Sequence, residues 1–124
     1  MKYVNYYKGL QEIEKSMYER ELRNSKQLLE SYEDFKEVIV PAMKQYINIS
    51  VNKEFKRTAQ GVLIMCEIGE AQLKSVLNDT RKVTLCELKT MNKNFSMSME
   101  LIQKKYEHIV TEEIQQFNDD EFNI

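Results

Sequence analysis

The sequence is poor in residues that break or staple a backbone. Its 124 residues include one proline and three glycines, too few for the turns of a β-sandwich, a glycine-rich phosphate loop or a proline-rich linker. Helix is the default that remains. The two cysteines, Cys66 and Cys86, sit inside apolar patterns at a separation that fits no zinc motif and makes a poor disulfide framework for a domain of this size. A reducing compartment is expected, with no cofactor and no metal. The single histidine, His108, falls on the polar side of the last helical pattern, so a His-based nucleophile, acid–base pair or metal cluster finds no second partner in the spacing. It reads as a surface residue, and no enzyme is implied. Long apolar runs are missing too. The longest, Val62–Cys66, has five residues, and Met1–Asn5 shows no signal-peptide core, so a cytoplasmic chain without membrane association is expected.

What the chain does have is charge and helical periodicity. Apolar residues make up 42% and charged ones 31%, the net charge is −2, and the length fits one domain over residues 1–124. That net charge is unevenly dealt: residues 1–40 carry −1, residues 41–104 carry +4 and residues 105–124 carry −5. A basic middle and an acidic tail fit either ordinary surface charge or a patch that meets phosphates. The carboxylates alternate with Lys and Arg at helical spacings, as on a solvated face with i,i+4 pairs.

Apolar residues recur at three- and four-residue steps through most of the chain. Val4, Tyr7, Leu10, Ile13, Met17, Leu22, Leu28 and Leu29 predict a long amphipathic helix over residues 3–30. Ser31, followed by Tyr32, Glu33 and Asp34, reads as the N-cap of a second, whose apolar Phe35, Val38 and Ile39 lead to Pro41. Pro41 ends or kinks that helix, since its ring restricts Val40 and removes a donor. Residues 42–49 form a short segment with Met43, Tyr46 and Ile47 inward, and Ser50 caps a helix over residues 51–67 with Val51, Phe55, Ala59, Val62, Leu63 and Cys66 on its apolar face. Gly69 is expected to break the chain. About two turns follow through Ala71, Leu73, Val76 and Leu77, closed by Asn78 and Asp79, which tolerate left-handed geometry.

Thr84 to Glu87 has the form of a capping box ahead of Leu85, Leu88, Met91 and Phe95. Ser98 starts the last helix, with a stripe of Leu101, Ile102, Tyr106, Ile109, Val110, Ile114 and Phe117 before a frayed end from Asn118 to Glu121. The expected fold is therefore an all-α compact bundle of five to seven helices. Amphipathic helices occupy residues 1–40, a core residues 41–104, and the end of the last helix with its acidic tail residues 105–124. Met43, Met65, Met91, Met97 and Met99 serve as core filler or as an adaptable binding surface. Tyr3, Tyr6 and Tyr7 dock on the chain's own bundle or on a partner.

Residues 58–101 resemble the Cro and lambda-repressor-like helix-turn-helix family, also called the Xre family. Thr58, Ala59, Gln60, Gly61, Val62, Leu63, Ile64, Met65 and Cys66 fall where that family's second helix lies, with Val62 and Cys66 at its apolar positions. Glu67, Ile68 and Gly69 correspond to the turn, and residues 70–77 look like the recognition helix, with Leu73 and Val76 inward. The loop Asn78, Asp79, Thr80, Arg81, Lys82 is similar to the family's polar, basic ending. The sequence departs from the pattern at Leu63, where a small residue is usual, at Glu67, where the turn carries glycine, and at Glu70, an acid at the start of the reading helix.

The resemblance implies a small sequence-specific DNA-binding regulator of bacterial or phage type, with its recognition helix in the major groove. It sets Glu70, Gln72, Lys74 and Ser75 near base edges, and Gln60, Asn78, Thr80, Arg81 and Lys82 at phosphates or beside them. One such module reads few base pairs, so a homodimer through the N- and C-terminal helices is expected. The alternative is an all-helical interaction protein without DNA binding, an adaptor or a phage inhibitor of a host protein. Its acidic tail (Glu112, Glu113, Asp119, Asp120, Glu121) and tyrosine-rich start would meet a protein partner. A degenerate helix-turn-helix kept as a scaffold is a third reading.

Overall fold

The computed structural model describes the backbone of residues 2–122 and the side chains of residues 11–111. The tyrosine cluster Tyr3, Tyr6 and Tyr7, the stripe residues Val4, Leu10, Ile114 and Phe117, and the acidic tail side chains lie outside those described side chains. Four helices make up the described chain: α1 (Lys2–Glu37), α2 (Ile39–Ile49), α3 (Lys53–Leu77) and α4 (Leu85–Phe122). The all-α expectation holds, but five to seven helices become four, because three expected boundaries are helical.

Each of the three has a physical reason. Ser31 sits inside α1 because the inward positions Tyr18, Leu22, Ser25, Leu29 and Tyr32 keep one helical phase across it. Ser98 is buried within α4, and its hydroxyl donates to the Asn94 carbonyl at 2.8 Å, so it needs no role as a cap. Gly69 lies in mid-α3, where a Cβ would stand 2.5 Å from Phe95 Cδ2. Glycine here permits close approach of α3 to α4 and makes no turn. The first boundary also moves at α3. Val51 is 97% exposed and lies outside the helix, and Asn52 is the cap, its side chain accepting from the Phe55 N–H at 3.0 Å. At the other end α4 runs to Phe122 past the expected fray, since extending a long helix by one residue costs little once it is nucleated.

Other local signals hold. Pro41 is the third residue of α2, so the donor it lacks is one that would have bonded Glu37, and the break falls at Val38 (φ −117°, ψ −59°). α3 closes on Asp79 in the left-handed region at φ 58°. Thr80 N–H donates to the Ser75 carbonyl at 3.0 Å and Asp79 N–H to the Val76 carbonyl at 3.1 Å, the bond pair of a Schellman motif. Thr84 Oγ1 accepts from Glu87 N–H at 3.1 Å and starts α4.

α1 and α4 run parallel, since Tyr18 OH donates to the Val83 carbonyl at 3.2 Å, Ser25 meets Asn92, and Tyr32 packs edge-on against Phe95 at 5.2 Å. α3 runs antiparallel to α4, with Gly69 on Phe95 and Thr58 Oγ1 3.4 Å from Lys105 Nζ. α2 prolongs the α1 leg beyond the kink, and its Tyr46 stacks edge-on with Phe55 at 5.4 Å. The result is an up-down-up bundle whose first leg is bent. Its core joins Tyr32, Met43, Ile47, Ala59, Leu63, Cys66, Leu73, Leu88, Phe95 and Ile102. Leu63, a departure from the family's small residue, is buried against α2 through this packing.

Candidate functional site

The residues expected to meet DNA are spread around α3 and the loop that follows it. Glu67, Ile68 and Gly69 are helical, so residues 58–66 and 70–77 belong to one straight element and the expected turn between two helices is absent. Neighbours two apart on a helix point to opposite sides. Glu70 turns toward α1, its Oε2 lying 2.6 Å from Lys36 Nζ and 3.5 Å from Lys74 Nζ. Gln72 turns toward α4 and lines a groove of about 210 Å³ with Met65, Ile68, Met91, Asn94 and Ser98. Gln60 faces α2 across a second groove of about 380 Å³, with Ile47, Asn48, Ile64 and Glu67. Ser75 spends its hydroxyl on the Ala71 carbonyl at 3.0 Å. Thr80 Oγ1 donates to the Ser75 carbonyl at 3.0 Å, while Asn78, Arg81 and Lys82 are exposed. The structure thus brings Glu70 and Lys74 together, sets Gln72 on the far side, and leaves Arg81 and Lys82 on the loop.

The interior between α1, α3 and α4 is polar at two places. Ser25 Oγ donates to Asn92 Oδ1 at 2.6 Å, and Asn92 Nδ2 donates to the Glu21 carbonyl at 3.0 Å and to Glu21 Oε2 at 2.9 Å. Every polar atom of the Asn92 amide is used, which fixes the register of α1 against α4. Farther along, burial pushes the Tyr32 hydroxyl up to about 12, helped by Cys66 once its thiol ionises and by the negative charge of Glu70. Burial likewise raises the Cys66 thiol to about 11, with Glu67 adding to it. Hydrogen bonds to Glu70 and Glu33 hold Lys36 above its ordinary value. A neutral tyrosine, a neutral thiol and a paired carboxylate make a structural cluster. Cys86 is exposed at the start of α4.

One surface feature is apolar, and sequence reasoning offered only its methionines, as core filler or as an adaptable binding surface. Ile64, Met65 and Ile68 on α3 and Met97 and Leu101 on α4 are 54%, 51%, 52%, 50% and 45% exposed. Met65 and Ile68 line the groove between α3 and α4, and the Gly69–Phe95 contact sets them level with Met97 and Leu101, whereas Ile64 lies toward α2 in the groove with Ile47 and Gln60. Ile64 and Met65 looked like part of a core helix within the Val62–Cys66 run, yet a helix can bury only one stripe of that run, which here is Leu63 and Cys66. The methionines divide accordingly: Met43 and Met99 fill the core, and Met65 and Met97 face solvent. Ile102 and Ile109 of the last stripe pack into the chain's own bundle.

Among the described residues no group of three or more His, Cys, Asp or Glu is placed to hold a metal ion, and no helix is long and apolar enough to cross a membrane. No protein-family model matches this chain, and no curated protein or solved structure matches it.

Proposed function

We propose that this chain is a non-catalytic helical interaction protein that presents the outer side of α3 and α4 to a protein partner. The observation that carries the reading is the group of four large apolar side chains, Met65, Ile68, Met97 and Leu101, each about half exposed at one level of the α3–α4 pair, on a chain with 31% charged residues. Scattered single exposures need no explanation, whereas several large apolar side chains at one level of a helix pair are what interaction surfaces present. Two of the four are methionines, whose unbranched, polarisable side chains repack against differently shaped partners.

A DNA-binding regulator is the competing reading. Its phosphate contacts would fall to Arg81 and Lys82, both exposed on the loop after α3. Its base contacts would have to come from opposite sides of α3, with Lys74 already beside Glu70. Fluorescence anisotropy with random duplex DNA at low and moderate salt separates the two. The interaction reading expects no saturable binding at low salt. Micromolar or tighter binding that falls steeply with salt, and that Arg81→Ala with Lys82→Ala weakens, would replace it with the regulator.

A further inference from the structure

We infer that α2 is a hinged strap that lifts off α3 and α4 as one unit while α1, α3 and α4 stay folded, and that its lifting uncovers an apolar strip closed at rest. The chain on either side of the strap is firmly held. Before the first hinge α1 is pinned almost to its end: Tyr32 is buried against Phe95, and Lys36 Nζ lies 2.6 Å from Glu70 Oε2 on α3. After the second hinge α3 is fixed from its first turn. Asn52 caps the Phe55 N–H, and Lys105 of α4 sets its Nζ 5.4 Å from the centre of the Phe55 ring and 3.4 Å from Thr58 Oγ1. The 11 residues of α2 lie between these two fixed points.

At both ends of α2 the helical path is already interrupted. Two backbone bonds cross the break at Val38 (φ −117°, ψ −59°), Val38 N–H to the Asp34 carbonyl at 3.3 Å and Ala42 N–H to the Val38 carbonyl at 3.4 Å. Both are longer than the usual distance of about 2.9–3.0 Å, and Pro41 offers the Glu37 carbonyl no donor. At the far end Ser50 (φ −70°, ψ 136°) and Asn52 (φ −80°, ψ 104°) are extended, and Val51 between them is 97% exposed. Hinges consist of a few residues of this kind at the ends of elements, where a change of φ and ψ disturbs little else.

What holds the strap down is apolar. Met43 and Ile47 are its buried side chains, and Tyr46 meets Phe55 edge-on. Among the described residues no side-chain hydrogen bond or ion pair ties α2 to another helix, whereas α1 is tied to α4 through Tyr18, Ser25 and Glu21 and to α3 through Lys36. Grooves run along both flanks of α2, one of about 290 Å³ toward α4 lined by Tyr46 and Tyr106, and one of about 380 Å³ toward α3 lined by Ile47 and Gln60. Lifting α2 therefore exposes Met43 and Ile47 and strands no side-chain polar partner. Once lifted, a lone helix of 11 residues with proline in its first turn melts, since helices this short are marginal in water, so α2 opens whole. The strip it uncovers contains Leu63 of α3, which shares a groove with Ile47, and Ile109 of α4, which shares one with Met43, both 6% exposed at rest. The bundle then has one apolar surface open at rest and a second that is gated.

Amide hydrogen exchange of the full chain, resolved by residue in NMR spectra without urea and in sub-denaturing urea, tests this. Residues 43–49 are expected to exchange together, about tenfold or more faster than Cys66, Leu73, Phe95 and Ile102, and with a weaker dependence on urea, because lifting α2 exposes less surface than unfolding the chain. Leu88→Ala separates the strap from global unfolding. Leu88 is buried near the start of α4, whereas α2 lies along Tyr106 and Val110 toward its other end, so Leu88 stays buried when the strap lifts. The substitution should speed exchange at the core residues about thirtyfold or more and leave residues 43–49 at their original rate. Ile47→Ala, which weakens the closed state itself, should speed residues 43–49 by a similar factor. Equal rates and equal urea dependence in α2 and the core overturn the inference, as do α2 amides that follow the core in Leu88→Ala. A smooth gradient of protection rising from residue 49 to residue 43 means fraying from one end and overturns it too. The urea dependence of the parent chain decides even where Leu88→Ala does not fold.

Discussion

Gly69→Ala puts the contact between α3 and α4 under direct test. In an exposed helix interior, replacing glycine by alanine gains about 1 kcal/mol of helix propensity. At Gly69 the added methyl would stand 2.5 Å from Phe95 Cδ2, 3.2 Å from Cγ and 3.3 Å from Cβ. Phe95 yields only at a cost, because its ring is buried and packs edge-on against Tyr32 at 5.2 Å. Overpacking of this kind costs about 1–3 kcal/mol, and a collision with a buried ring in its packed position belongs in the upper part of that range. The expected balance is a net loss of about 1–2 kcal/mol. In urea, with a slope of about 1–3 kcal/mol per molar for small proteins, the midpoint falls by roughly 0.5–1 M. The decisive comparison is the same substitution in a Phe95→Leu background, where the branch point recedes and alanine becomes neutral or stabilising. A Gly69→Ala chain that is more stable than the parent would refute the close approach and, with it, the level at which the two outer stripes meet.

Asn92→Leu should cost about 0.5–1.5 kcal/mol in urea unfolding, because half-buried Glu21 loses the amide donor while buried Ser25 retains only the Glu21 carbonyl at 3.0 Å. Ser25→Ala added to it should cost less than the sum, and strict additivity would show that the three residues do not act as one network. Stability should also fall in alkali. Cys66, raised to about 11, and Tyr32, raised to about 12, remain neutral in the fold while the unfolded chain ionises. Their contribution is full below about pH 9 and is lost between about pH 9 and pH 12, on the order of 2 kcal/mol for each group. Lys36, also raised, loses its contribution in the same direction at still higher pH. Tyr32→Phe should remove the upper part of this decline, and a urea midpoint that stays flat from pH 8 to pH 11 would contradict the burial of both groups.

Periodicity made the helices legible, but not their ends. The spacing of Leu73, Val76, Leu88, Phe95 and Ile102 announced inward faces that the structure buries. Caps were legible where a side chain or a left-handed residue leaves one option, as at Thr84 and Asp79. Interior serines and glycine were not, because Ser98 can donate to a carbonyl one turn back as readily as it caps, and Gly69 can admit an aromatic ring as readily as it turns the chain. Only the neighbouring helix decides between those uses, and a single sequence does not show the neighbour. Reading a break at Gly69 is also what made residues 58–77 look like two helices. The outer face was hidden for a related reason: Val62 to Cys66 is apolar all round, and which of its sides faces solvent depends on where α2 and α4 stand.

The polar contacts inside the bundle and the apolar residues outside it belong to one design. An apolar core tolerates helices sliding past one another, because Leu, Ile and Met contacts are interchangeable at small cost. The amide of Asn92 is not interchangeable: it reaches both the carbonyl and the carboxylate of Glu21 while Ser25 bonds its oxygen, and a shift of one turn would leave that buried amide unmatched. Gly69 under Phe95 is equally specific to one level. Together they lock α4 in height against both α1 and α3. Precise height adds little to the core itself, but it decides whether Met65 and Ile68 stand level with Met97 and Leu101. A helix pair free to slide by one turn would offset the two stripes by about 5.4 Å and break the face into separate side chains. Weakening the Asn92 network should therefore loosen partner binding through the outer face more than its cost to folding accounts for, although none of its residues lies on that face.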